Sequence, residues 1–85
     1  MKLLILGAEG HGRVCAEIAR KTYEKISFLD DNSVDAIGKL SEIEKYVAEY
    51  DEVFIAFGNT KIRKEWMEKL KRMDTKLQLL FLKKH

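Results

Sequence analysis

The chain has 85 residues, which is enough for one hydrophobic core and therefore for a single domain over residues 1–85. Its 46% hydrophobic and 35% charged residues exclude a disordered chain, and a net charge of +2 with scattered basic residues argues against nucleic acid as a partner. No apolar run reaches the roughly 18–20 residues that span a membrane, and a single cysteine is what we expect of a cytoplasmic protein.

The first half of the chain predicts two strands separated by a helix. The apolar run Lys2–Leu6 is typical of a strand buried on both faces of a parallel sheet. A glycine-rich loop, Gly7–Gly12, precedes a predicted helix over Arg13–Thr22, and Ile26–Leu29 predicts the second strand. The residues expected on the buried face of this helix are Val14, Ile18 and Ala19.

The second half repeats the alternation. The segment Ser41–Tyr50 predicts a helix, with Ser41 and Glu44 at the spacing of a capping box. A third helix is expected after a cap at Asn59 or Thr60. The remaining predicted strands are Val53–Phe57 and Leu77–Leu82.

This alternation predicts an α/β fold: a four-stranded parallel sheet of order 2-1-3-4 with three helices, in a three-layer Rossmann-like arrangement. One face of the sheet then has a single helix. Because the last predicted strand is apolar on both sides, we expect one of its faces to be buried by a second copy in a homodimer or by a missing domain.

The glycine loop is the strongest local signal of binding. It directly follows a strand and precedes a helix, which is the context of a phosphate-binding loop. Gly7 permits the sharp exit from the strand, Gly10 permits close approach of a ligand, and Gly12 permits tight helix packing. His11 and Arg13 are candidates for ligand contacts. The spacing G-x-x-G-x-G departs from the dinucleotide fingerprint, and a plain tight turn is the alternative.

Two further segments are expected at the same edge of the sheet. Asp30 and Asp31 end the second predicted strand, 20 and 21 residues after Gly10, where nucleotide-binding folds place a carboxylate against a ribose or base. A turn is the alternative for this pair. Gly58 and Asn59 follow the third predicted strand, and Asn59 has a helix cap as its alternative role. The sequence therefore predicts a ligand crevice between these loops.

No catalytic group and no metal site is predicted. His11 has no nearby Ser, Cys or carboxylate arrangement that supports proton transfer. His11 and His85 lack partners at zinc-ligand spacing, and Cys15 is interpreted as a packing residue.

Together these motifs resemble a known family. The segments Leu4–Arg13, Phe28–Asp31 and Val53–Asn59, followed by Ile62-Arg63, are similar to the N-terminal domain of bacterial PglD/NeuD-type sugar acyltransferases. The resemblance implies acetylation of UDP-linked 4-amino sugars or sialic acids. It further implies that this domain holds the nucleotide sugar, while a left-handed β-helix domain binds acetyl-CoA and carries the catalytic histidine.

The resemblance assigns ligand contacts to the matched positions only. It places Gly10, His11 and Gly12 against the ligand, the acidic pair near the nucleoside, and Gly58 and Asn59 along the sugar–phosphate side. Glu9 replaces the small residue usual in the family's loop and puts negative charge near the expected phosphate. Because the sequence lacks the β-helix domain, we expect no acetyl-CoA site and no acetyl transfer on this chain alone.

Two other functions stay open on the sequence. One is a half-Rossmann module for NAD, which the spacing of the glycine loop disfavours. The other is an assembly or dimerisation module that has lost ligand binding, which Glu9 and the apolar last strand favour.

Overall fold

Strands and helices alternate along the chain in the computed structural model, which describes residues 1–8, 10–73 and 78–80. The strands are β1 Lys2–Leu6, β2 Lys25–Leu29, β3 Glu52–Ile55 and β4 Gln78–Leu80. The helices are α1 His11–Ala19, α2 Ile43–Tyr46 and α3 Thr60–Met73, and α2 lies between 3-10 turns at Leu40–Glu42 and Val47–Glu49. The predicted α/β class, with three helices and a parallel sheet, is confirmed.

The sheet is built around β1. This strand pairs in parallel with β2 on one side and with β3 on the other, so that Leu6 lies beside both Leu29 and Ile55. The three-residue strand β4 pairs with β3, which gives the order β2-β1-β3-β4. Of the predicted strand Leu77–Leu82, only Gln78–Leu80 lies among the described residues, and the apolar faces expected for it lie outside them.

Each face of the sheet has its own core. Leu4 and Leu6 of β1 face the core under α2 and α3, while Leu3 and Ile5 face α1, as the alternation of side chains along a strand requires. Because both sets are at most 2% exposed, the continuous apolar run of β1 matches a strand covered on two sides. The other buried members under α2 and α3 are Leu29, Ile43, Val47, Tyr50, Val53, Ile55 and Leu70.

The buried face of α1 differs from the prediction. The helix begins at His11 rather than Arg13, and its buried residues are Gly12 and Ala16. Val14 and Ile18, which the spacing assigned to the core, are 58% and 69% exposed. That assignment is wrong because the small residues let the helix approach the sheet closely, and at 100° per residue this turns Val14 and Ile18 outward.

The capping box predicted for the second helix is also displaced. Glu42, and not Glu44, reaches back, and its Oε1 accepts the backbone N–H of Lys39 at 2.8 Å. The backbone N–H of Leu40 donates to Asp31 Oδ1 at 3.0 Å. The segment therefore begins before Ser41, because acidic side chains on both sides of this turn bind its first N–H groups.

The buried polar side chains at the opposite, amino edge of the sheet are satisfied within the protein. The Tyr50 hydroxyl donates to Ser27 Oγ at 2.7 Å, and the Tyr23 hydroxyl donates to the Glu52 carboxylate. Burial, together with the Glu52 carboxylate, raises the pKa of Tyr23 to about 12. These pairs therefore hold the amino edge of the sheet together.

Candidate functional site

Three loops lie side by side at the carboxyl edge of the sheet. Gly7 N–H donates to the Leu29 carbonyl oxygen at 2.8 Å, which joins the glycine loop to the end of β2. Ala56 N–H donates to the Leu6 carbonyl oxygen at 2.9 Å, which joins the end of β3 to β1. The glycine loop, which connects β1 to α1, is therefore flanked by the loops after β2 and β3, at the place where open α/β sheets bind ligands.

The three glycines of the loop have different structural roles. Gly7 has φ +100° and its Cα lies against the Phe57 ring, where a Cβ would be 3.3 Å from the ring carbons. At Gly12 a Cβ would lie 2.0 Å from the Gly7 carbonyl oxygen, so the backbones of loop and helix are in direct contact. Gly10 has φ +51° and open space beside it. Gly7 and Gly12 thus shape the loop, while Gly10 leaves room over it.

The loop delivers the start of α1 to this edge. Gly10 is the N-cap of the helix, and Val14 N–H makes the first bond of α-helical spacing, to the Gly10 carbonyl oxygen at 3.2 Å. The first N–H groups of a helix carry the positive end of its dipole, and in α1 the N–H of Arg13 already donates to the Gly10 carbonyl oxygen at 3.1 Å, so that the N–H groups of His11 and Gly12 are the ones offered to a ligand. His11, the first residue of α1, is exposed beside them. This part of the loop can accept an anionic group.

Asp30 links the loop after β2 to the glycine loop. Its Oδ2 accepts the backbone N–H of Ala8 at 2.8 Å, and its Oδ1 accepts that of Asn32 at 2.8 Å. Ala8 itself is fully buried. Asp30 therefore makes the turn that the sequence analysis gave as the alternative role of the acidic pair. It also contacts a loop 22 residues earlier in the chain, which the sequence did not predict.

Asp30 gives the protein a pH dependence of known sign. Chiefly the Ala8 N–H, with those of Asn32 and Ser33, lowers the pKa of the Asp30 carboxyl against the opposing effect of burial. The ionised form is thus favoured in the folded state, and its contribution is present above the unfolded pKa of about 3.9 and is lost as the pH falls through the lower folded pKa. We expect Asp30→Asn to be destabilising at pH 6 and less so at pH 3, as measured by urea unfolding. A destabilisation of equal size at both pH values would contradict this origin.

Asp31 and Asn59 each use one side-chain oxygen on the backbone. Asp31 is exposed, and its Oδ1 accepts the Leu40 N–H described above. Asn59 Oδ1 accepts the N–H of Ile62 at 3.0 Å, so Asn59 is the N-cap that begins α3. Gly58, next to it, has open space around its Cα. The second carboxylate oxygen of Asp31 and the amide group of Asn59 are not used in these bonds.

Arg13 has a partner that the sequence analysis missed. Its Nη2 lies 2.6 Å from Asp35 Oδ2, and the two side chains are about half exposed. Asp35 is held in the loop after β2, where its N–H donates to Ser33 Oγ at 3.1 Å. A polar cleft of about 450 Å³ opens beside this pair, between α1 and β2. The Ser33-Val34-Asp35 turn is a signal that could have pointed to Asp35.

The described part of the chain gives little support for a metal site, a reactive cysteine or a membrane-spanning helix. Residues 1–8, 10–73 and 78–80 contain no group of three or more His, Cys, Asp or Glu side chains that could hold a metal ion. Cys15 is half-buried in α1, and burial raises the pKa of its thiol, in line with a packing role. Glu9 lies outside the described residues. Within the described ranges, every helix is too short or too polar to cross a membrane.

The fold and this edge define the class of protein. A parallel sheet of central order β2-β1-β3, with a glycine loop leading from β1 into the first helix, is the arrangement of Rossmann-like α/β domains. The family model for the PglD N-terminal domain matches residues 2–70, and the chain belongs to this family. The resemblance seen in the sequence is thereby confirmed.

Solved structures agree with this assignment. The acetyltransferase domain of PglB from Neisseria gonorrhoeae FA1090 is 36% identical over 85% of this chain, with a TM-score of 0.71. The same domain in complex with acetyl coenzyme A matches with 35% identity and a TM-score of 0.71. The H141N mutant of perosamine N-acetyltransferase from Caulobacter crescentus, in complex with CoA and GDP-perosamine, shares the fold with 20% identity over 86% of this chain and a TM-score of 0.72.

This chain corresponds to less than half of each of these proteins. It covers 40% of the Neisseria acetyltransferase domain and 39% of the Caulobacter enzyme.

Proposed function

We propose that this chain is a nucleotide-sugar-binding domain of a sugar N- or O-acetyltransferase, with a UDP-linked amino sugar as its ligand. Acetyl transfer itself is assigned to a β-helix domain of the whole enzyme and not to the residues of this domain. The compartment proposed is the cytoplasm, in keeping with the single cysteine.

The observation that carries this proposal is the glycine loop between two neighbouring loops. The first turn of α1 offers backbone N–H groups and the helix dipole to a diphosphate, and Gly10 leaves open space above it. Asp30 and Asp31 stand on the β2 side of this loop, and Gly58 and Asn59 stand on its β3 side. A ligand with a central diphosphate, a nucleoside on one end and a sugar on the other fits this order.

Each candidate residue then has a role. Gly7 and Gly12 shape the loop, and Gly10 with His11 lies against the diphosphate. Arg13 contributes positive charge next to the phosphates, although it must share its guanidinium with Asp35. The acidic pair lies near the nucleoside, and Gly58 with Asn59 lies along the sugar–phosphate side.

One of the matched structures supports a nucleotide sugar as the ligand class. The Caulobacter structure was solved with GDP-perosamine and CoA, and the Neisseria domain was solved with acetyl coenzyme A. Because a GDP sugar occurs among these relatives, the choice of uracil over guanine in this chain needs its own test.

The proposal is tested by amide NMR of the 85-residue chain, titrated with UDP, GDP and a UDP-amino sugar, with NAD as the comparison ligand. We expect saturable shifts at Gly10–Arg13, Asp31 and Gly58–Asn59 with UDP and the UDP-amino sugar. If GDP and not UDP shifts these residues, the proposed base changes from uracil to guanine and the proposed site is kept. Shifts with NAD alone would replace the proposal by an NAD module.

A pair of variants at Gly10 locates the ligand on the loop. Gly10→Val places a branched side chain in the open space and is expected to abolish the shifts while the fold is kept. Gly10→Ala is also strained at φ +51°, although less than the β-branched valine, and with its smaller bulk it is expected to weaken binding without abolishing it. Unchanged affinity in Gly10→Val would show that the loop is a structural turn and not the site.

A second function, assembly, is favoured by one observation. Val14 and Ile18 are exposed on α1, and Ile18 lines an apolar cleft of about 280 Å³ together with residues that include Leu3 and Phe54. Large exposed apolar side chains of this kind are common at contacts between subunits or domains. Sedimentation at high micromolar concentration distinguishes the two functions, since a clean monomer that binds UDP supports the first and a dimer that binds no nucleotide supports the second.

A further inference from the structure

The carboxylate of Asp30 is committed to the backbone of two loops. One oxygen holds Ala8 in the glycine loop and the other holds Asn32 in the loop after β2, both at 2.8 Å. The residue is only half-buried, yet its two bonds bring together segments that are far apart in the chain. Adjacent to them, Gly7 N–H donates to the Leu29 carbonyl oxygen, so consecutive N–H groups of the glycine loop are both bonded to the end of β2.

Asp30 acts in addition to the contacts of Gly7 and Gly12, which fix the two ends of this loop. Gly7 and Gly10 have positive φ values, and glycine imposes little conformational restraint of its own. The side chain of Ala8 is a single methyl group, although it is fully buried. Because recognition of a phosphate by backbone N–H groups requires them to converge within a few tenths of an ångström, the orientation of the Ala8 peptide affects every group that follows it.

We propose that Asp30 is a positioning residue, which holds the glycine loop through Ala8 in the conformation that receives the diphosphate, rather than a residue that contacts the ligand. This inference rests on the proposed function and deepens it. It gives the two acidic residues different roles. Asp31, unlike Asp30, is exposed, and only one of its carboxylate oxygens is used in the backbone bond to Leu40.

The alternative is direct contact between Asp30 and the ribose, and the two roles predict different ligand dependence. A residue that acts through the loop affects all ligands that carry the diphosphate. A residue that bonds a ribose hydroxyl affects only ligands that have the hydroxyl. UDP and 2′,3′-dideoxy-UDP share the diphosphate and the base, so the ratio of their affinities isolates the contact with the sugar.

The experiment measures the affinity of wild type and Asp30→Ala for both ligands by calorimetry, and follows the Ala8 amide by NMR. We expect Asp30→Ala to weaken both ligands by the same factor, about ten-fold or more, and to shift the Ala8 amide even without ligand. Asp30→Asn keeps an oxygen for the Ala8 N–H, and we expect it to recover most of this affinity. A loss for UDP alone, with the dideoxy ligand unaffected, would overturn the proposal.

Asp51 supplies a matched control at the opposite edge of the sheet. Its Oδ2 accepts the Lys2 N–H at 2.8 Å, a bond of the same kind and length as the one that Asp30 makes with Ala8. Asp51→Ala is expected to shift the Lys2 amide and to leave both affinities unchanged. Should Asp30→Ala fail to fold, the two affinities are measured in Asp30→Asn, where a loss for UDP alone, with the dideoxy ligand unaffected, refutes positioning.

Failure of the proposed function is separable from failure of this inference. If wild type binds no nucleotide, the proposed function is wrong, but the unliganded Ala8 amide still reports whether Asp30 holds the loop. An Ala8 amide that is unmoved in Asp30→Ala would refute the positioning role whatever the ligand.

Discussion

Gly12→Ala is expected to lower the free energy of unfolding by about 3 kcal/mol or more, because the new methyl group has no space. Its carbon would lie 2.0 Å from the carbonyl oxygen of Gly7 and 3.0 Å from the carbonyl carbon. Both obstacles are backbone atoms of the glycine loop and cannot turn aside as a flexible side chain can. The loss outweighs the gain of up to about 1 kcal/mol that alanine normally brings to a helix.

Urea unfolding followed by circular dichroism measures this effect, and Gly58→Ala is the matched control. Gly58 has nothing within 4 Å of the position of a Cβ, so its substitution is expected to change stability by less than about 0.5 kcal/mol. A domain of this size has a net stability of roughly 4–13 kcal/mol, so the Gly12 variant loses a substantial part of it. If both variants were equally stable, the close contact between loop and helix would be refuted.

Leu6→Ala is expected to cost about 2–5 kcal/mol, because it leaves a cavity where β1 enters the glycine loop. Leu6 is fully buried, pairs with Leu29 and Ile55 in the sheet, and packs in the core under α2 and α3. The loss combines the transfer free energy of the deleted carbons with the packing contacts of the cavity wall. Thermal and urea unfolding give the change in free energy directly.

Val34→Ala is the control for this substitution. Val34 is 98% exposed, so shortening it removes almost no buried surface and should be nearly neutral. A Leu6 variant as stable as the Val34 variant would mean that the core closes over the lost volume. Loss of stability in the Val34 variant comparable to that of Leu6 would show that the loop after β2 packs more closely than its exposure indicates.

The sheet could be predicted from the sequence because its strands differ in kind from everything around them. The run Leu3–Leu6 has no polar interruption, and only a strand covered on both faces accommodates it. Once strands and helices alternate, right-handed crossovers leave few arrangements, and the observed central order β2-β1-β3 is among them. The glycine loop could also be predicted, because a strand must turn sharply to enter a helix that packs on its own sheet.

The face of α1 could not be predicted from hydrophobic spacing alone. Val14 and Ile18 look like core residues, but Gly12 and Ala16 occupy the buried face because close approach of two backbones favours the smallest side chains. A hydropathy pattern ranks side chains by their transfer free energy and carries no information about the distance between helix and sheet. The predicted capping box was wrong for a related reason, since Glu42 and Asp31 accept the N–H groups of Lys39 and Leu40 at that turn.

The position of the candidate site could be predicted from the sequence, but most of the contacts between its residues could not. Asp30 and Asp31 follow β2 as expected, but which oxygen bonds which N–H depends on the path of a loop that only the folded chain defines. Asp35 was missed because its link to Arg13 joins residues 22 positions apart. The ligand roles of these residues stay predictions that the experiments above address.

The central place of β1 in the sheet bears on how the chain is made. Lys2–Leu6 is synthesised before β2 and β3, so one of its two edges stays without a neighbour until Glu52–Ile55 has been made. An apolar strand with a free edge is prone to pair with other chains. We therefore expect nascent chains that stop after β2 to aggregate or to recruit a chaperone, and those that extend past β3 to become soluble, as a series of arrested ribosome complexes would reveal.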